Sequence, residues 1–158
     1  MYYSYVNPNL IYCNHIWGTS SSTNINRLFV LQKIVVRIIC HAKPRTHSDP
    51  FFKELKFLNV RQINTYLIGQ FMYKHYNSDL PSIFDSYFAR TCDVHSHDTR
   101  QYANFYELPK VRTDYCQHSF RFRGSSIWNS IMKNKVNPDG HICSFKKQLK
   151  VLLTNDAI

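Results

Sequence analysis

The sequence predicts a mainly α-helical fold: a bundle-like, thumb-like helical region over residues 1–89, then a segment over 90–158 with a small β-hairpin near 104–123 and a C-terminal helix. Three observations predict it. Apolar residues recur at three- and four-residue spacing through residues 24–41. Residues 60–77 are apolar over most of a helix circumference, the pattern of a core helix. Only residues 104–123 carry strand character. The chain has 158 residues, 44% of them hydrophobic and 15% aromatic, with only four Gly, so it has the apolar material for a packed core. Its length fits one domain or one piece of a larger one.

Residues 2–17 are rich in Tyr and Ile and are interrupted by Pro8. Proline lacks an amide proton and clashes with the preceding turn, so a helix here is kinked at Pro8 or begins after it. The stretch opens without a polar cap and reads as the tail of a helix that starts further upstream. Residues 18–23 (GTSSST) form a loop with N-cap chemistry. Residues 24–41 are the clearest helix. Leu28, Leu31, Ile34, Val35, Ile38 and Ile39 make its apolar face, with Asn26, Lys33 and Arg37 opposite.

Residues 43–49 are a basic loop. Ser48 or Asp49 before Pro50 marks a helix start, and a short helix spans 50–58. Asn59 breaks it. A helix over 60–77 follows, with Ile63, Leu67, Phe71, Met72, Tyr73 and Tyr76. A further short helix over 79–89 packs Leu80, Ile83, Phe84 and Phe88. Composition shifts at Arg90, and residues 90–100 are a polar, His-rich loop. Residues 104–112 and 117–123 pair as the hairpin across 113–116. Phe120 and Phe122 alternate with Arg121 and Arg123. Gly124 ends that strand, and Ile127, Trp128 and Ile131 resume at helical spacing. Residues 132–141 form a turn-rich connector. Ser144 caps a terminal helix over 145–153, with Leu149, Leu152 and Leu153 on one side and Lys146, Lys147 and Lys150 on the other.

Composition narrows the function. Twenty Lys and Arg face ten Asp and Glu, a formal charge of +10 with neutral His. That balance favours an anionic partner, nucleic acid first. The five cysteines are odd in number and form no CxxC pair, which argues against a disulfide framework and for a reduced, intracellular compartment, cytoplasmic or nuclear. No apolar run approaches the roughly 20 residues that span a bilayer, so no membrane partner is expected. The N-terminus shows no signal-peptide pattern.

Sites for chemistry are sparse. The close pairs Cys13/His15, Cys116/His118 and His141/Cys143 lack the paired spacing of a zinc site, and His95 and His97 stand alone, so no metal and no cofactor is expected. No GxSxG, HExxH or Gly-rich phosphate loop occurs. The few carboxylates are scattered, which argues against two-metal phosphoryl transfer. Phosphate contact is what the sequence supports best. Arg121 and Arg123 offer guanidiniums on one strand face, and Lys146, Lys147 and Lys150 a cationic helix face. Phe120, Phe122 and Trp128 read as core anchors, since large aromatics dominate core burial.

Six motifs occur in order: NRLFVLQKIVVRII, DPFFKELKFLNV, IGQFMYKHYNSDLPSIF, HSHDTRQ, FRFRGSSIWNSI and SFKKQLKVLL, preceded by IYCNHIWG. The series resembles the C-terminal region of reverse transcriptases of LINE-type (non-LTR) retrotransposons, of the jockey and chicken-repeat kind. The resemblance covers nearly the whole chain. It implies thumb and post-thumb segments that follow the polymerase palm. The family's catalytic carboxylates, a Tyr/Phe-x-Asp-Asp motif and a separate Asp, match no position here, and the endonuclease domain is absent too. The resemblance thus implies a truncated, noncatalytic piece of an RNA-directed DNA polymerase. Its partners would be RNA or an RNA–DNA duplex and the missing palm domain. Arg27, Lys33 and Arg37 would track that duplex from the helical part, and Arg100, Arg121 and Arg123 from the C-terminal part. The alternative is a structural or interaction remnant of a decaying element with no nucleic-acid function.

Overall fold

The computed structural model describes residues 1–94 and 104–155. They are mainly helical. A π-helical turn at Tyr2–Val6 runs into α1 (Asn7–Ile11), followed by α2 (Asn14–Trp17), α3 (Ser22–Ile39), α4 (Asp49–Glu54), α5 (Val60–Tyr76), α6 (Thr91–Val94), α7 (Asp114–Gln117), α8 (Phe120–Lys133) and α9 (Ile142–Thr154).

Helices α1, α2, α3, α8 and α9 pack against α5. Asn59 starts it with a capping box: its side chain accepts from Gln62 N at 2.9 Å, and its own N–H donates to Gln62 Oε1 at 3.0 Å. The residue expected to break a helix thus begins one. Ile63, Ile68, Met72 and Tyr73 of α5 meet Trp128 and Ile131 of α8 and Phe145, Leu149 and Leu153 of α9 in one core. Gly69 faces both α8 and α9. A Cβ there would sit 2.8 Å from Leu149 Cδ2 and 3.0 Å from Ile131 Cδ1, so three helices meet at a position with no side chain. A smaller cluster joins Tyr2, Val36 and Phe52, with Phe29, Val35, Ile39 and Phe57 around it.

The predicted hairpin is not formed. Residues Phe120–Lys133 are one helix, with Ser119 as N-cap accepting from Phe122 N at 3.4 Å. Its buried positions, Gly124, Ser125, Trp128 and Ile131, fall on a helical face. Four residues of Phe/Arg alternation are outweighed by that longer pattern, and Gly124 sits mid-helix against Phe88 and Met72. The described strand pairing is an isolated antiparallel bridge between Arg90 and Tyr106. Trp128 is fully buried, as a core anchor should be, and donates from Nε1 to Asn104 O at 2.8 Å.

Other boundaries move. Residues 79–89 hold only a 3₁₀ turn at Ser82–Phe84, and Ile83 is exposed while Phe88 is buried. The terminal helix begins at Ile142, not after Ser144: His141 is its N-cap, with Nδ1 accepting from Cys143 N at 3.2 Å. The helix after Pro50 ends at Glu54, and Lys56 turns to φ 51°. In the N-terminal stretch Pro8 lies in the first turn of α1, where proline is tolerated, and the break falls at Cys13, φ 49°.

The buried side of α3 is the predicted one only in part: Val35 and Ile39 pack against the smaller cluster, but the fully buried residues lie elsewhere. Ile25, Gln32 and Val36 face inward, while Leu31, Ile34 and Ile38 are 59%, 43% and 66% exposed. Gln32 is the physical reason. Its Nε2 donates to Tyr2 Oη at 2.7 Å and to Leu58 O at 2.9 Å, and its Oε1 accepts from Val60 N at 3.0 Å. A buried amide tying three segments sets the helix rotation, which a count of apolar residues misses.

Candidate nucleic-acid interface

The cations expected to bind phosphate occupy separate places. On α3, Arg27 is exposed. Lys33 Nζ lies 3.8 Å from Asp49 Oδ1 and 4.2 Å from the Phe29 ring centre, so it ties α3 to α4. Arg37 Nε donates to Thr46 O at 2.8 Å and holds the loop after α3. On α9, Lys147 is exposed, Lys146 half-buried, and Lys150 lies over the Tyr3 ring at 5.8 Å. Arg121 is exposed on α8, 5.9 Å from the Tyr87 ring centre. Arg100 lies outside the described residues. The described members of this set come from three separate helices, α3, α8 and α9.

Arg123 differs from the rest. The helical, not extended, backbone turns it away from Arg121 into a groove between the start of α3, α5, α7 and α8. Its Nη1 donates to Gly18 O at 3.2 Å, and burial lowers its pKa from the ordinary guanidinium value. The groove encloses about 520 Å³. Arg61 lines it from the first turn of α5 and donates from Nη2 to Asn26 Oδ1 at 2.7 Å. His118, just after α7, lines it too, with Nε2 3.6 Å from Asp114 Oδ2. Two guanidiniums and an imidazole thus face one carboxylate, with Ser22, Thr65 and Ser126 adding hydroxyls. This donor-rich set suits an oxyanion.

The groove has a rigid polar floor. Asn64 is 2% exposed and lines it. Its Nδ2 donates to Asn14 Oδ1 at 2.9 Å and to Asn14 O at 3.2 Å, and Asn14 Nδ2 donates back to Leu10 O at 2.9 Å. Gly18 closes this floor. A Cβ there would lie 2.4 Å from Asn64 Nδ2 and 2.5 Å from Asn14 O, so a side chain does not fit. Asn64 Oδ1 is buried and accepts no hydrogen bond from the protein.

Arg61, Asn64 and His118 were not legible as site residues. Arg61 and Asn64 sit in a helix that reads as core, and His118 reads only as one half of a Cys/His pair. The usable signal was local: Arg61, Asn64 and Thr65 share one side of α5 at three- and four-residue spacing. Among the described residues, no group of three or more His, Cys, Asp or Glu side chains comes together. No described helix is long and apolar enough to cross a membrane.

A second polar cluster lies inside the fold. His75 bridges Phe84 O at 3.0 Å through Nε2 and Tyr106 Oη at 2.7 Å through Nδ1. A carbonyl only accepts, so Nε2 carries the proton and Nδ1 accepts from the phenol. Burial lowers the His75 pKa and pushes Tyr106 up to about 12. This pair braces the segments around Phe84 and Tyr106 against α5.

The fold and groove define a class: a helical domain with an arginine-rich, hydroxyl-lined cleft. Comparison with family models, characterised proteins and solved structures returns no match to this chain.

Proposed function

We propose that this chain is a nucleic-acid-binding module that holds the phosphate backbone of RNA or an RNA–DNA duplex without catalysing its synthesis. The observation that carries the reading is the groove, where Arg61, Arg123 and His118 converge from three separate segments. The two guanidiniums neutralise phosphates without reading sequence. The excess of ten positive charges over the whole chain supports the same partner. The ordered motifs that resemble the thumb and post-thumb region of LINE-type reverse transcriptases fit it as well. On this reading the chain is a truncated piece of such an enzyme, the palm domain is its missing partner, and its compartment is intracellular, cytoplasmic or nuclear.

Fluorescence anisotropy with a labelled RNA–DNA hybrid tests the proposal. Binding at low salt that weakens when Arg61 becomes Gln supports it. No binding at low salt sinks it. Primer extension by this chain alone should give no product.

A second reading is an interaction module with no nucleic-acid role. The exposed stripe Val30, Leu31, Ile34 and Ile38 on α3 favours it, since four large apolar side chains on one helix side face solvent. A hybrid that fails to bind selects this reading.

A further inference from the structure

We infer that a second cleft, between the N-terminal π-helical turn, α5 and α9, holds one unpaired nucleobase, with Lys150 taking the phosphate beside it. The inference rests on the nucleic-acid reading and adds to it a site for a base, outside the groove.

The cleft encloses about 210 Å³. Tyr2 and Tyr3 line it from the π-helical turn, Ile11 from α1, Ile63 and Tyr66 from α5, and Lys150 from α9. Its aromatic wall is fixed. Tyr2 stacks on Phe57 at 4.1 Å with the rings 14° apart, and its Oη accepts from the buried Gln32 at 2.7 Å. Tyr3 stands nearly perpendicular to both rings and keeps 54% of its surface in solvent. Three tyrosines around a cavity of this size suit a single flat ring rather than a long acyl chain.

Charge is the second, independent observation. Lys150 is half-buried, and its Nζ lies 5.8 Å from the Tyr3 ring centre and 3.5 Å from Tyr3 Oη. Residues 1–48 contain no Asp or Glu, and neither does α5 or α9. Every helix that lines the cleft is therefore free of carboxylates. Burial raises the pKa of Tyr2 and of Tyr66, so these phenols stay neutral and do not offset the ammonium. A ligand that answers both features carries a flat ring and an anion a few ångströms apart.

A nucleotide has that form. Any base can stack on an aromatic side chain, and its phosphate meets the cation. The shared chemistry has two sources, an unpaired strand and a free nucleotide. The groove of Arg61 and Arg123 then holds backbone, and the cleft holds a base.

The test compares two labelled single strands by anisotropy at low salt: oligothymidine and an abasic strand of the same length. The two share a phosphate backbone and differ only in the bases. The inference predicts that oligothymidine binds about tenfold tighter, the size of one base stacked on an aromatic ring. Tyr3→Leu, which keeps apolar bulk but has no ring, should bring oligothymidine down to the affinity of the abasic strand, and Tyr3→Phe should retain the preference. Should Tyr3→Leu fail to fold by circular dichroism, Ile11→Glu, which brings a carboxylate into the cleft, takes its place. Arg61→Gln should weaken both strands alike and leave their ratio unchanged. Competition by thymidine 5′-monophosphate in the same concentration range would make a free nucleotide the source, and its failure to compete would make it the strand. Equal binding of the two strands overturns the inference and leaves the nucleic-acid reading standing, as does a hybrid that binds when neither single strand does. A base preference that persists in Tyr3→Leu also overturns it. If no strand and no hybrid binds, both fall.

Discussion

Trp128 concentrates more of the core on one side chain than any other described residue. It is fully buried, stacks on Tyr76 at 5.4 Å and donates to Asn104 O. Trp128→Ala should destabilise the fold by about 3–5 kcal/mol, because it leaves a cavity and an unpaired carbonyl. A urea melt reads this, and an unchanged midpoint would remove Trp128 from the core. The two alternating arginines should separate cleanly. Arg121→Ala removes an exposed cation and should weaken hybrid binding with no shift in the melt. Arg123→Ala should weaken binding and also lower stability by about 1 kcal/mol, since its bond to Gly18 O joins α8 to the N-terminal segment. Equal melts for the two variants would show that Arg123 holds nothing together.

At the scale of elements, α5 was readable to within a residue and α8 was not. The reason is physical in both cases. Val60–Tyr76 has 17 residues, apolar on most sides, and a helix is the only element that buries such a pattern. Phe120–Arg123 offered only four residues of alternation, too few to outweigh Trp128 and Ile131 one and two turns on. The rotation of α3 was hidden because a glutamine, Gln32, is one of its buried anchors. The groove was hidden for a different reason. Gly18, Arg61 and His118 are far apart in the chain and meet only once α5 is surrounded, so spacing held no trace of them. Gly69→Ala tests how tightly α5, α8 and α9 meet. A mid-helix alanine ordinarily gains about 0.5–1 kcal/mol over glycine. Here Leu149 and Ile131 must shift, and crowding of that kind costs about 1–3 kcal/mol, so we expect a net loss. The packing of Phe84 and Tyr106 against α5 has a pH dependence through His75. Its folded pKa is lowered, so the unfolded chain binds more protons in the window below 6.5. Stability from His75 is therefore full above pH 6.5 and falls as pH drops through the unfolded value towards the folded one. Replacing His75 by Gln should flatten this part of a melt-versus-pH curve; an unchanged slope would assign the dependence to other groups.

For the whole molecule, charge and shape give the account its centre. The net charge of +10 is spread over α3, α8 and α9, but the groove is where guanidiniums converge with hydroxyls and a buried acceptor. Dispersed lysines should set the encounter rate and the groove the lifetime of the complex. The most direct test is the affinity for an RNA–DNA hybrid measured from about 50 to 200 mM salt, a range over which phosphate contacts lose their counterion advantage. The account predicts binding whose logarithm falls linearly with the logarithm of salt, with a slope about one unit shallower in Arg61→Gln. Binding that ignores salt, or no binding at the lowest salt, would contradict it.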